Sequence, residues 1–372
     1  MALKFHTLRI ADVVPETTDA YTLVFDNPDP KLFAYEAGQY LTIKVDIGGE
    51  SYRRAFSLSS CPRTDSRLSV TIKKVTGGKV SPYLQASARV GQTLESYPPL
   101  GNFKLVPQDA GRRHIVLIGA GSGITPLMSM LKTVLHAEPG SIVTLVYGNR
   151  TESDIIFKGQ LERLEAESAG RLRVIHALTQ PTAAWSGVTG RLDATLLPTL
   201  LGQLLAVQPG LPVEAYLCGP VGMMDAATQA LQDAGVNPSK IHRELYSAAL
   251  PTETSAVDSA PAVTAAPAPE EQNEHGFSYE RRTRTVTVTL DGETFQVTVP
   301  PNKSILKAVI DLKKDPPYAC LEGLCSTCRC KVHDGYIEMD EREGLSDEEL
   351  EAGYALACQA HPLSDNVVIE FA

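Results

Sequence analysis

The stretch "HIVLIGAGSGITPLMSM", residues 114 to 130, decides how the middle of this chain is read. It opens with an apolar run of the kind a strand buried on both faces requires. Gly119, Gly121 and Gly123 follow, and "TPLMSMLKTVLH" then carries apolar residues at helical spacing. Strand, glycine turn and helix together open a parallel, doubly wound α/β sheet. "IVTLVYGNR", "RLRVIHALT" and "VEAYLCGP" are further buried strands, the last leading into "CGPVGMM", residues 218 to 224. Ligands of open α/β sheets bind beyond the carboxyl ends of the strands. Both glycine turns fall there, so one crevice can hold one dinucleotide. The first turn departs from G-x-G-x-x-G, because Pro126 replaces the last expected step.

Upstream the texture differs. "TLRIADVV", "YTLVFD", "QYLTIKVDI", "LSVTIKKV" and "QTLESYPP" are short alternating segments separated by turn signals, the pattern of an antiparallel barrel. Within it, "RRAFSLSS" (53–60) places Arg54, Phe56 and Ser57 at the end of a strand. An arginine can fork onto phosphate, an aromatic can pack on a ring, and a hydroxyl can reach a ring nitrogen. "KKVTGGKVSPYL" (73–84) sets Gly77 and Gly78 before a helix start at Lys79, Val80 and Ser81. N–H groups at a glycine-rich helix N-terminus form an anion site. An arginine and an anion loop together suit a pyrophosphate, which FAD has and FMN lacks.

Downstream, residues 251–276 ("PTETSAVDSAPAVTAAPAPEEQNEHG") have almost no large apolar side chains and read as a linker. The remainder, 277–372, opens with "RTVTVTLDGETFQVTVP", a strand, an Asp-Gly turn and a strand. "SILKAVIDLKK" is a short amphipathic helix and "CRCKVHDGYIEM" a strand, so this part is a small α+β domain. Between them lies Cys320-x4-Cys325-x2-Cys328, with Cys358 further on. This is the plant-type [2Fe–2S] spacing. Each iron needs two thiolates besides its bridging sulfides; a tight loop supplies three and a distant residue the fourth. Zinc on Cys325, Cys328, Cys358 and His361, or a dithiol of Cys325 and Cys328, are the competing readings. Cys330 shares a strand face with Val332 and reads as a core residue.

Composition limits the function. The net charge is −10, against nucleic-acid binding, and no run of about 18 apolar residues suggests a membrane span. The first residues alternate like a strand and lack a signal peptide's apolar core, which implies a reducing cytoplasm where disulfides are rare. From 277 to 372 there are 10 Lys/Arg and 17 Asp/Glu, a net of −7, densest in "EMDEREGLSDEELE". That segment reads equally as a docking face for a basic partner or as a solvated surface.

These motifs in this order resemble the ferredoxin–NADP reductase superfamily joined to a C-terminal plant-type ferredoxin. The resemblance spans the whole chain. It implies a multidomain protein: a β-barrel flavin domain (1–108), a Rossmann-like α/β nicotinamide domain (109–250), the linker, and a β-grasp ferredoxin domain (277–372). Arg54-Ala55-Phe56-Ser57 matches the flavin motif, with Phe where Tyr is commoner. "GGKVSPYL" matches the pyrophosphate motif, so Gly78, Lys79, Val80 and Ser81 would hold FAD phosphates. "GAGSGITP", with Gly119, Gly121, Ser122, Gly123 and Thr125, matches one nicotinamide motif. "CGPVGMM", with Cys218, Gly219 and Met223, matches the other. "ELY", Glu244 to Tyr246, matches the end of the reductase module. Thr71 and Lys73 share a strand face and are expected to line the flavin. Ser57, Cys218 and Glu244 are expected at the nicotinamide–flavin contact, and Cys320, Cys325, Cys328 and Cys358 on the cluster.

Arg150 in "YGNRT" ends a strand where a 2′-phosphate can lie, with Thr151, Glu152 and Asp154 following, and the balance favours NADPH over NADH. The order flavin, nicotinamide, ferredoxin and the segments "YGNRT" and "PPYACLEGLCSTCRCKV" are similar to the reductase subunits of phenylacetyl-CoA epoxidases. That resemblance implies an oxygenase component as partner. A reductase for another ring-hydroxylating oxygenase, or a zinc-binding adaptor, are the alternatives.

Overall fold

The structure, a computed structural model, describes residues 3–108, 111–206, 210–246 and 280–371. The chain divides into two compact units, one running from Lys4 to Tyr246 and the other containing Ser247 to Ala372. The stretch 251–276, expected to be a linker, lies outside the described residues.

The first unit begins with β1 (His6–Pro15), β2 (Ala20–Phe25), β3 (Tyr40–Ile47), β4 (Glu50–Ser57), β5 (Leu68–Lys73), α1 (Val80–Ser87) and β6 (Thr93–Ser96). The strands form one sheet in the order β4-β3-β6-β1-β2-β5, and a bridge between Leu58 and Val70 joins its two edges into a barrel. Alternation explains the interior. Leu8, Ile10, Leu23, Phe25, Leu41 and Ile43 point inward and are fully buried, at every second position along their strands.

The second half of this unit contains β7 (His114–Ala120), α2 (Ile124–Ala137), β8 (Ile142–Asn149), α3 (Lys158–Glu167), β9 (Leu172–Leu178) and β10 (Val188–Thr189). It continues with α4 (Leu196–Ala206), β11 (Val213–Cys218), α5 (Val221–Asp233) and β12 (Ile241–Glu244). All six strands run parallel, in the order β10-β9-β8-β7-β11-β12. The reversal beside β7 is the switch point at which such sheets bind ligands. Helix α2 also fastens this half to the barrel. Ser129 Oγ donates to the Ser60 carbonyl at 2.6 Å, and Lys132 Nζ reaches Asp65 at 2.9 Å.

The other unit contains β13 (Arg284–Leu290), β14 (Glu293–Val299), α6 (Ile305–Asp311), β15 (Arg329–Asp334) and β16 (Ile337–Met339). After these come α7 (Asp347–Glu351), β17 (Tyr354–Leu356), β18 (Ala360–Pro362) and β19 (Val368–Phe371). The main sheet runs β14-β13-β19-β15-β17, with β16 and β18 paired separately. Asp291 and Gly292 both take positive φ, 53° and 81°, the conformation of the tight hairpin turn that their sequence predicts. Helix α6 starts where Ser304 accepts the Lys307 N–H. "CRCKVHDGYIEM" is not the single strand expected from its sequence. It breaks into β15 and β16 at Gly335, whose φ is 82° and which packs closely against Val367. No helix among the described residues is long and apolar enough to cross a membrane.

Candidate functional site

The two glycine turns pack on one another. Strand register places Gly119 beside Cys218 and Cys218 beside Glu244, all at carboxyl ends. A β-carbon on Gly123 would overlap the Cys218 carbonyl, and one on Gly219 would lie 2.7 Å from the Met223 methyl and 3.2 Å from the Ala120 nitrogen. These glycines allow the start of α2 and the end of β11 to meet, which no larger residue would permit. Gly121 takes a φ of 54°, and its carbonyl accepts from the buried Tyr147 hydroxyl at 2.8 Å. A tight glycine turn at the start of a helix is the result, an arrangement that suits the phosphates of a dinucleotide.

Tyr246 joins the barrel to this turn. Its hydroxyl lies 2.7 Å from Ser57 Oγ and 3.0 Å from Thr125 Oγ1. Thr125 in turn donates to the Ser122 carbonyl at 3.0 Å. Burial, then the nearby Glu244 carboxylate, push the Cys218 thiol well above its usual range, so it is a neutral, protonated group. The structure thus gathers Ser57, Thr125, Cys218, Glu244 and Tyr246, five residues that sequence reasoning had placed at the site.

The flavin motif lies on β4. Arg54 and Phe56 share one strand face, and Ser57 lies on the other with Ala55. Arg54 donates to the Arg53 carbonyl at 2.7 Å. Lys79, at the start of α1, reaches the Tyr52 hydroxyl at 2.6 Å, which brings this helix start alongside β4. No side chain caps α1 and no acidic residue occupies its first turn, so its leading N–H groups fit an anion. Ser81 Oγ accepts the Val75 N–H at 3.0 Å, which closes the Gly77–Gly78 turn onto the helix. Thr71 is less available than its position on β5 suggested. It is buried, and its hydroxyl is shared with Thr22 at 2.8 Å and Ser59 at 2.9 Å. Lys73 instead lies beside the Gly121 turn.

Arg150 stands beyond β8 with Nη2 3.2 Å from Asp154 and 3.8 Å from Asp19. Glu152 accepts from Thr182 instead. Asp19 was not singled out by the sequence; its turn, "ETTDA", resembles any polar hairpin.

In the other unit the four cysteines form a contiguous set. Cys320 neighbours Cys325 and Cys358, and Cys358 also neighbours Cys328. The Glu322 N–H points at the Cys320 sulfur, 3.4 Å away. Leu321 and Gly323 take positive φ to turn the loop. Gly344 packs against the Cys325 carbonyl and donates its N–H to the Gly323 carbonyl at 2.8 Å, a support that sequence reasoning missed. Four cysteine sulfurs grouped in this way fit a two-iron cluster. His361, the zinc candidate, bonds Asp340 at 2.9 Å. Among the described residues no group of three or more His, Cys, Asp or Glu is placed to hold a single metal ion. Cys330 is fully buried in the sheet, and its thiol is pushed up by that burial.

Comparison with known proteins matches this arrangement part by part. The oxidoreductase FAD-binding domain family matches residues 7–105, the oxidoreductase NAD-binding domain family 117–229, and the 2Fe-2S iron-sulfur cluster binding domain family 288–363. The chain belongs to the ferredoxin–NADP reductase superfamily, in the form that ends in a [2Fe–2S] domain. It is 35% identical over 372 residues to one component of the 1,2-phenylacetyl-CoA epoxidase of Escherichia coli, covering 99% of this chain and 98% of that protein. It is 36% identical over 377 residues to the ferredoxin reductase component of the Rhodococcus rhodochrous 3-ketosteroid-9-alpha-monooxygenase, covering 98% and 96%. Phthalate dioxygenase reductase shares the fold, with a TM-score of 0.57 at 22% identity over 99% of this chain and 98% of that one. The protein is therefore an NAD(P)H-dependent flavin and iron–sulfur oxidoreductase, an electron-transfer reductase of the kind that serves oxygenase systems. Its cofactors are FAD, a [2Fe–2S] cluster and a pyridine nucleotide.

Proposed function

We propose that this reductase draws electrons from NADPH and delivers them to the oxygenase component of a phenylacetyl-CoA epoxidase, in the cytoplasm. The observation that carries the reading is the likeness to the Escherichia coli epoxidase component, which covers 99% of this chain and so takes in all three domains. The bound groups supply the conversion of a two-electron hydride donor into single electrons. The chain supplies position. Arg54, Phe56 and the start of α1 would hold the flavin, with Ser57 near its reacting edge. Gly119 to Gly123 and Gly219 hold the nucleotide. Cys218 and Glu244 would border the place where nicotinamide meets flavin, with Tyr246 beside them. Arg150 supports NADPH, since it is the cation at the end of β8 and Glu152 is committed to Thr182.

A second reading, a reductase for a steroid or ring-hydroxylating oxygenase, is favoured by the likeness to the ketosteroid monooxygenase component. Reconstitution distinguishes them. The purified reductase and NADPH are mixed in turn with each oxygenase component, and product is counted against NADPH consumed. Tight coupling with the phenylacetyl-CoA oxygenase alone is expected; coupling only with another oxygenase overturns the assignment. Arg150→Ala should abolish the preference for NADPH over NADH, and an unchanged preference would remove Arg150 from coenzyme choice.

A further inference from the structure

Two cations of the nucleotide crevice face one carboxylate. Asp19 lies in the turn between β1 and β2. Its Oδ1 accepts from Thr17 Oγ1 at 2.9 Å, and its carbonyl accepts the Lys74 N–H at 2.7 Å. The anchored side chain presents Oδ2 to Lys73 Nζ at 3.7 Å and Arg150 Nη2 at 3.8 Å. Lys73 stands beside the Gly121 turn. Asp154 also pairs with Arg150, and its second oxygen is held by the Thr151 N–H and hydroxyl. Lys73, Asp19, Arg150 and Asp154 form a row of alternating charge that begins at the glycine turn and ends beyond β8. Asp19 is the member contributed by a loop of the barrel.

We propose that Asp19 is a specificity-determining residue that acts through Arg150. It is the barrel's counter-ion to the cation that would receive a 2′-phosphate, and it limits the preference for a 2′-phosphorylated coenzyme. The inference rests on the reading of Arg150 as the 2′-phosphate ligand. An arriving phosphate dianion must share the guanidinium with two carboxylates and is repelled by Asp19. A ribose hydroxyl carries no charge and meets no such penalty. Lys73, near the glycine turn, would meet the pyrophosphate common to both coenzymes, so relief of its pairing with Asp19 favours both alike.

The test uses the full-length holoprotein. Asp19→Asn keeps the shape and the acceptor for Thr17 but removes the charge. Adenosine 2′,5′-bisphosphate and 5′-AMP are titrated by calorimetry, and kcat/KM is measured for NADPH and NADH with ferricyanide as acceptor. The bisphosphate should bind about three- to fivefold tighter to Asp19→Asn, the scale of one part-exposed ion pair, and 5′-AMP by a smaller factor. The NADPH to NADH ratio should rise by the same factor, through KM rather than kcat. Asp19→Glu should restore the original ratio, and Asp19→Asn should leave it unchanged when Arg150→Ala is already present. An unchanged or weaker bisphosphate affinity in Asp19→Asn, where Arg150→Ala does weaken it, overturns the role of Asp19 alone. If Arg150→Ala leaves bisphosphate affinity intact, the reading of Arg150 falls and this inference with it. Asp19→Ser removes the charge with a different side chain and must act in the same direction; loss of FAD from both variants would make Asp19 purely structural and also overturn the proposal.

Discussion

The hydroxyls of Ser57 and Tyr246, 189 residues apart in the chain, lie 2.7 Å from one another. One ends a barrel strand and the other follows the last strand of the α/β sheet, so the bond ties the two halves of the unit at the candidate reaction site. Thr125 shares the same phenol at 3.0 Å. Tyr246→Phe removes both bonds and keeps the ring. Each bond contributes about 0.5–1.5 kcal/mol, which predicts a fall of roughly 2–12 °C in the melting temperature of this unit. Differential scanning calorimetry checks it. An unchanged transition would mean that the phenol ties nothing together.

Gly123 gives a second test. Because a β-carbon there would overlap the Cys218 carbonyl, Gly123→Ala must push α2 away from β11. Overpacking of this kind costs about 1–3 kcal/mol. The displaced turn should also cost most of the NADPH oxidation rate, while the visible absorption of the cluster stays, because its cysteines lie in the other unit. Retained turnover with NADPH would show that the crevice tolerates the methyl group and that the close approach is not needed.

How much of this was legible beforehand depends on the range of the interaction. The α/β half was readable because an apolar run, glycines and a helical period follow one another within a single short stretch, and each is a local signal. The hairpin at Asp291 and Gly292 was readable for the same reason: two residues with positive φ have few possible sequences. The cysteine spacing identified the cluster loop, but not Gly344, which supports that loop from well beyond Cys325 and resembles any turn glycine in sequence. Asp19 was invisible because its significance comes from Lys73 and Arg150, brought beside it by two different strands. Thr71 shows the same limit from the other side. Alternation placed it correctly on one face of β5 with Lys73, but its hydroxyl is taken up by Thr22 and Ser59, neighbours that periodicity cannot supply.

Acid should weaken this unit through Glu214. Its side chain is 11% exposed and accepts from His242 Nε2 at 2.8 Å, with Arg113 bonded to the other oxygen and Lys240 at 4.0 Å. The His242 hydrogen bond and then the Arg113 charge hold its carboxyl down at about 2, below the 4.5 of an ordinary glutamate. A depressed folded value stabilises the fold above the unfolded value and stops doing so as pH falls from about 4.5 towards 2. The difference corresponds to about 3 kcal/mol. Urea unfolding of wild type and Glu214→Gln should therefore diverge by up to that amount near neutral pH and converge in strong acid. Parallel curves across this range would remove Glu214 from the acid response.

The last prediction separates two cysteines that are nearly adjacent in sequence. Cys328 and Cys330 differ by two positions, and both are buried. Cys328 neighbours Cys358 within the thiol set, whereas Cys330 lies in β15 against Phe371 and Ala355. Cys358→Ser should lower bound iron, bleach the cluster absorption and halt one-electron delivery to an oxygenase, yet leave two-electron reduction of the flavin by NADPH intact, since the flavin belongs to the other unit. Cys330→Ser should keep the iron and lose only stability, about 1–3 kcal/mol for a hydroxyl buried without a partner. Iron assay, visible spectra and stopped-flow flavin reduction read these out. Iron lost equally from both variants would mean that Cys330 belongs to the ligand set and that the four-cysteine set described above is wrong.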